Sequence, residues 1–183
     1  NRAWCWGSSA DGKLALGVVG VATSSPILTT FEDVGTIAAG GSVTCARSRS
    51  GAIACAGQNA QGQLGNGVRT TQPLPVAVPG LTNITSIAAG SNFTCAADTA
   101  GDATCWGVGS NGQLGNGGFE SFPTPTGTIA TGVKKIHAGS SYACAELMNG
   151  SIACWGFGAD GQLGVGTATR GTPLVLPGVA NVD

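Results

Sequence analysis

Six of the seven cysteines in this chain keep a single spacing. Cys45 and Cys55, Cys95 and Cys105, and Cys144 and Cys154 each stand ten residues apart, while Cys5 lies fifty before Cys55 with no companion. Thiols at regular spacing can bind a metal, attack a substrate or oxidise to disulfides. Structural zinc wants ligands two to four residues apart with further Cys or His nearby; here the pairs are ten apart and His137 is the only histidine. A nucleophilic thiol wants an oriented base, and His137 sits where other copies of the same segment carry Ala38 and Ala88. Oxidation remains, provided the chain brings each pair face to face. The alternative is that the cysteines stay reduced and pack as small apolar side chains.

A β-hairpin would bring them together. If Cys95 opposes Cys105, the turn centres on Ala100 and leaves the loop Thr99-Ala100-Gly101; the other pairs give Arg49-Ser50-Gly51 and Met148-Asn149-Gly150. Glycine is third in all three, where a type I turn followed by a left-handed, bulged residue needs it. Directly opposed Cα atoms lie about 4.5 to 5.5 Å apart, within disulfide reach. The register therefore predicts three disulfides, Cys45–Cys55, Cys95–Cys105 and Cys144–Cys154. Persistent disulfides imply an oxidising, extracellular or cell-surface setting.

The same period runs through the rest of the chain. Gly62-Gln63-Leu64-Gly65 recurs as Gly112-Gln113-Leu114-Gly115 and Gly161-Gln162-Leu163-Gly164, with a degenerate copy at Gly12-Lys13-Leu14-Ala15. Ile37-Ala38-Ala39-Gly40 recurs as Ile87-Ala88-Ala89-Gly90 and, altered, as Ile136-His137-Ala138-Gly139. A period of about fifty means stacked supersecondary units, with copies over residues 1–50, 51–100, 101–149 and 150–183. Short alternating runs between Gly, Asp and Asn read as strands. In one unit they are Pro73 to Val78, Ile84 to Ala89, Phe93 to Ala97 and Ala103 to Gly107. The fold class is thus all-β. With 32 glycines and 9% charged residues the composition suits a turn-rich β protein, not a disordered one.

Several chemistries are disfavoured. A net charge of -1, with no basic run beyond Lys134-Lys135, offers no footprint for nucleic acid. No apolar run approaches the roughly 18 residues that span a bilayer, and Asn1-Arg2-Ala3-Trp4 does not open a signal peptide. Gly62 to Gly67 lacks the Lys-Ser or Lys-Thr of a phosphate-binding loop and reads as a turn. Asp11, Gln61, Asn111 and Asp160 align before glycines, acidic in two copies only, which argues for turn chemistry over calcium. No catalytic centre, cofactor or metal site is expected. Asn83, Asn92 and Asn149 begin glycosylation sequons, with Asn92 and Asn149 expected to be exposed.

The order Cys-Trp-Gly, Gly-Gln-Leu-Gly-x-Gly, a Pro-Val segment, Ile-Ala-Ala-Gly and Thr-Cys-Ala closely resembles the regulator of chromosome condensation repeat, over essentially the whole chain. The cysteine pair resembles that of the secreted, bacterial-type branch. The resemblance implies a β-propeller of four-stranded antiparallel blades, usually seven to a ring, with nearly four repeats here. Two departures stand out. Trp6, Trp106 and Trp155 hold the Cys-Trp-Gly position but the second copy has Ala56, and Lys13 and Ala15 break the first Gly-Gln-Leu-Gly, as in a looser terminal blade.

Asn1 aligns with the turn glycines Gly51, Gly101 and Gly150, and Asn181-Val182-Asp183 aligns with Asn83-Ile84-Thr85. The strand that would carry a partner for Cys5 is therefore expected outside this stretch, in adjacent repeats or in another copy of the protein that completes the open edges. The reading that follows is a non-enzymatic structural or binding module of an extracellular assembly, able to form filaments by head-to-tail contact. Alternatives are a secreted propeller that binds or inhibits a protein partner and, below it, a GTPase exchange factor. A protein or glycan ligand would meet the loops that vary between copies, Thr23 to Asp33, Val68 to Gln72 and Gly117 to Thr124. The last holds Phe119 and Phe122, an apolar contact site unless the loop folds back on its own blade.

Overall fold

The computed structural model describes residues 1–182; Asp183, which the repeat sets against Thr85, lies outside the described residues. Thirteen strands form four antiparallel sheets, and no helix is present among the described residues. The first sheet pairs β1 (Trp4–Ser9) with β2 (Val21–Leu28). The second runs in chain order through β3 (Val34–Ala39), β4 (Val43–Ser48), β5 (Ile53–Gly57) and β6 (Gln72–Ala77). The third holds β7 (Ile84–Ala89), β8 (Phe93–Asp98) and β9 (Ala103–Gly107). The fourth holds β10 (Val133–Ala138), β11 (Tyr142–Leu147), β12 (Ile152–Gly156) and β13 (Arg170–Val175).

The hairpin register follows the turn. Asp98 N–H bonds the Asp102 carbonyl at 3.1 Å and Gly101 N–H bonds Asp98 at 3.1 Å. Gly51, Gly101 and Gly150 take φ of +84°, +84° and +79°, the left-handed region where a side chain would be strained. Counting back from the hydrogen-bonded pair Asp98–Asp102, the alternation puts Cys95 and Cys105 at a non-hydrogen-bonded site, where opposed residues come closest. Their Cα atoms are 4.1 Å apart, and those of Cys45–Cys55 and Cys144–Cys154 are 4.0 and 4.1 Å apart, each pair joined by a disulfide.

Sheet membership differs from the unit read along the sequence. The strand at Gln72–Ala77 does not open the sheet of β7 to β9; it closes the preceding one, with Val76 against Cys55 and Gln72 against Gly57. The second and fourth sheets are therefore each three strands of one hairpin set plus the strand that follows it. Pro73 and Pro75 are tolerated there because β6 is an edge and loses no ladder donor on its free side. The third sheet has no fourth strand. Residues 121–130 run along β9 instead, touching it at the bridges Gly107–Phe122 and Ala103–Ala130. Pro123, Pro125 and Gly127 interrupt a ladder between those points, and Thr126 returns to bond the Cys105 carbonyl at 3.0 Å.

Core sits between sheets. Val43, Cys45, Leu64, Ile84, Ile87 and Trp106 fill the layer between the second and third sheets. Phe93, Cys105, Leu114, Val133, Ile136 and Trp155 fill the layer between the third and fourth. A middle sheet is thus covered on both faces, which explains why β8 and β9 are buried almost throughout, their Ala, Cys and Thr residues as well as Phe93 and Trp106. Successive sheets are also tied at one edge: Ser42 N–H bonds the Ser91 carbonyl and Ser91 N–H bonds the Ser140 carbonyl, both at 3.1 Å. Among the described residues no helix is long and apolar enough to cross a membrane.

Candidate functional site at the blade junctions

Gly-Gln-Leu-Gly builds the junction. Gln63 is fully buried, and its Oε1 accepts from its own turn at Gln61 N–H, 3.0 Å. That leaves its backbone carbonyl free to face the next sheet, where it accepts from Trp106 Nε1 at 3.0 Å and Thr94 Oγ1 at 3.2 Å. Gln113 repeats the device: Oε1 accepts from Asn111 N–H at 2.7 Å, and its carbonyl accepts from Trp155 Nε1 at 3.0 Å. Trp106 and Trp155 are 0% exposed. The second glycine of the motif lets the indole approach, since a Cβ on Gly65 would lie 2.6 Å from Trp106 Nε1 and one on Gly115 would lie 2.9 Å from Trp155 Nε1.

The two departures read from the sequence are one event. Ala56 stands where Trp106 and Trp155 stand, and the loop facing it carries Ala15 in place of glycine, at φ +55°. With the indole gone the Ala15 methyl has room, and Phe31 fills the remaining space with Ala46 and Ala56. The first junction is a repacked one and not a loosened one. Lys13, the other departure, donates from Nζ to the Gly41 carbonyl at 2.7 Å across the same junction.

A third Trp and a third loop lack partners. Trp6 aligns with Trp106 and Trp155 but is 61% exposed, and Trp4, on the same face of β1, is 57% exposed. Gln162, Leu163 and Gly164 align with the seating loops, yet Gly164 is exposed and the nearest atoms to a Cβ there belong to Leu176, at 3.7 Å. The chain thus presents an unseated indole at one end and an unfilled seat at the other. Cys5 lies half-buried beside Trp6 as a free thiol, and burial pushes it above the ordinary thiol range.

The remaining sequence candidates are dispersed. Asn83 and Asn149 are exposed, but Asn92 is half-buried and its Oδ1 accepts from Ser42 Oγ at 2.6 Å, which corrects the expectation that it lies open. Phe119 and Phe122 form no joint patch: Phe119 is 54% exposed, whereas Phe122 packs on its own sheet and exchanges two backbone bonds with Gly107. His137 Nε2 lies 2.6 Å from Glu146 Oε1 on the neighbouring strand. The hydrogen bond from His137, together with the charges of His137, Lys135 and Lys134, holds the Glu146 carboxyl below its usual value against a smaller opposing effect of burial. Among the described residues no three His, Cys, Asp or Glu side chains gather around a metal-sized space. Sequence reasoning missed the glutamine carbonyl, because the acceptor is backbone and its partner indole lies 43 residues further on.

Comparison with known proteins agrees with this architecture. A family model described as Regulator of chromosome condensation (RCC1) repeat matches residues 50–97 and 101–145, and a second model of the same repeat matches 84–113. No curated protein sequence matches the chain. Among solved structures, human WBSCR16 superposes with a TM-score of 0.86 at 24% identity, over 96% of this chain and 48% of its own. Prp20p from Saccharomyces cerevisiae does so at 0.81 and 24% identity, over 96% and 46%. Yeast RCC1 (Prp20) bound to Kap60 gives 0.80 and 24%, over 96% and 44%. The chain spans less than half the length of each, so the likeness is one of fold: a partial β-propeller. With the repeat matched over half of its residues and the propeller fold in common, the chain belongs to the regulator of chromosome condensation repeat family.

Proposed function

We propose that this chain is a non-enzymatic, extracellular propeller segment that serves as a structural or binding module, with Trp6 seated by a Gly-Gln-Leu-Gly loop of another blade of the same kind. The observation that carries this reading is the contrast between Trp6, 61% exposed, and its buried equivalents Trp106 and Trp155. A second copy of the chain offers the needed loop at Gln162 to Gly164, giving a heterologous contact that propagates head to tail; adjoining repeats of a longer chain would offer the same loop. Three disulfides support an oxidising compartment and the cysteine-bearing, secreted branch of the family. Structures of the yeast relative concern its complex with Kap60 and its binding to Gsp1p and histones, a precedent for protein partners of the fold.

A second reading, capping of a protein partner by one ring face, draws on exposed apolar side chains in the loops after the Gly-Gln-Leu-Gly turns, Val18, Val19, Val68 and Phe119.

Acrylamide quenching tests the first reading. The native assembly compared with Trp6→Phe isolates the Trp6 signal, which should be shielded as Trp106 is; a Trp6 open to quencher in that assembly refutes it. Mixing then separates the sources. If the blade comes from a second copy, Trp6→Ala and Gly164→Ala each abolish self-association alone, and the two together form one-to-one dimers. If both variants stay monomeric as the native chain does, and Trp6 is shielded in Gly164→Ala, adjoining repeats supply the blade.

A further inference from the structure

The first strands of the last three sheets stand side by side, β3 against β7 and β7 against β10. Each is bulged near its start, at Gly35, Thr85 and Lys134. A bulge inserts a residue and re-aims side chains. In β10 it leaves Lys134 and Lys135 both exposed between the buried Val133 and Ile136. The two lysines border a hollow of about 330 Å³ that is also lined by Thr36, Thr85, Ser86, Ile87 and Ile136.

The polar groups on its lining are donors. Arg47 on β4 holds Thr36 from behind the lining: Nη2 donates to Thr36 Oγ1 at 3.1 Å and Nη1 to the Ser48 carbonyl at 3.2 Å. Thr36 Oγ1 already accepts from Arg47, and Ser86 Oγ accepts from Ile136 N–H at 3.1 Å, so each hydroxyl hydrogen is free to donate inward. Thr85 is spent, its hydroxyl donating to the Ala97 carbonyl at 3.2 Å. Nearby acids are occupied elsewhere. Asp98 Oδ1 accepts from Ala100 and Asp102 N–H at 2.9 Å in its own turn, and Glu146, across from Lys135, is held by His137 at 2.6 Å. Among the described residues His137–Glu146 is the one ion pair; Lys134 and Lys135 border the hollow with no salt-bridge partner, and their charges act on Glu146 only at longer range.

The geometry points to an oxyanion site on these first strands, taking a sulfate or phosphate group, free or as a monoester. Two lysines and two free hydroxyls border it from three strands. A tetrahedral dianion can use that many non-coplanar donors, whereas a carboxylate is satisfied by a flat fork. The hollow is near the lower end of ligand pockets, about 300 Å³, and so suits a pendant group and not a whole large ligand.

Calorimetric titration with sodium sulfate, sodium phosphate and glucose 6-sulfate, at ionic strength held constant with chloride, tests the site. Saturable binding of at least one probe is expected, weakened about tenfold or more in the double variant Lys134→Gln/Lys135→Gln and unchanged in Arg69→Gln, outside the hollow. Tighter binding of the monoester than of either ion assigns an esterified ligand; the reverse assigns a free ion. No saturable binding beyond the chloride control, or equal binding by the double variant, overturns the proposal.

Discussion

Removing the Trp106 side chain should destabilise the protein, and adding a methyl to Gly65 should then cost less than it does in the native background. Trp106 is 0% exposed, and truncation of a buried Trp to Ala costs about 3–5 kcal/mol. The lower half of that range applies, because Thr94 Oγ1 still bonds the Gln63 carbonyl when the indole donor is lost. At roughly 2–4 °C per kcal/mol for a chain of this length, Tm falls by about 10 °C. Gly65→Ala alone meets the indole at 2.6 Å and holds φ +74°. The backbone conformation costs about 1 kcal/mol and the overpacking about 1–3 kcal/mol more. In Trp106→Ala only the backbone cost remains, as Ala15 beside Ala56 already demonstrates. Urea denaturation of the four proteins, followed by far-UV circular dichroism, should therefore give a favourable coupling of about 1–3 kcal/mol between the two sites. Additivity within about 0.5 kcal/mol would refute the reasoning.

Thiol titration of the native protein should find at most one thiol per chain, Cys5, and seven after reduction in denaturant; a second native thiol contradicts the pairing. Replacing Cys95 and Cys105 together by Ser should lower stability by up to about 3 kcal/mol, the loop-closure value for a ten-residue separation. Glu146 supplies a pH dependence. Its folded pKa is lowered, so the His137 pair contributes stability above the unfolded carboxylate pKa and loses it as pH falls through the folded value. Glu146→Gln should flatten Tm against pH as pH falls below the ordinary carboxylate range, by a small amount because water screens a surface pair; an unchanged slope argues against the pair.

Much of the hairpin geometry was legible because it depends on local spacing: ten residues between cysteines place a glycine at φ near +84° in the turn. Sheet membership was not, since Gln72–Ala77 lies between two sheets in the chain and only the pairing of Val76 with Cys55 decides which it joins. The missing fourth strand beside β9 had a visible cause in Pro123 and Pro125, but Pro73 and Pro75 occur in a strand that does form. The junction escaped for a different reason. Its acceptor is a carbonyl that every residue owns, so Gln63 reads only as part of a turn until the indole is seen. The lysine pair on β10 was read as too short for nucleic acid, which says nothing of a bulge that turns both side chains outward.

The matched exchange at the first junction bears on how such a chain can be rearranged by recombination. Repeats of equal length look interchangeable, and an unequal crossover can delete or duplicate one without shifting the frame of the others. Yet a deletion that joined the Ala15 loop to the strand of Trp106 would drive an indole onto a methyl group, and Phe31 would occupy the space the ring needs. The converse join, Gly65 against Ala56, would leave a void of indole size. The first junction therefore acts as an address: it admits its own neighbour and penalises one of the glycine–indole kind, so the place of the first blade is written in a pair of residues that no single repeat contains.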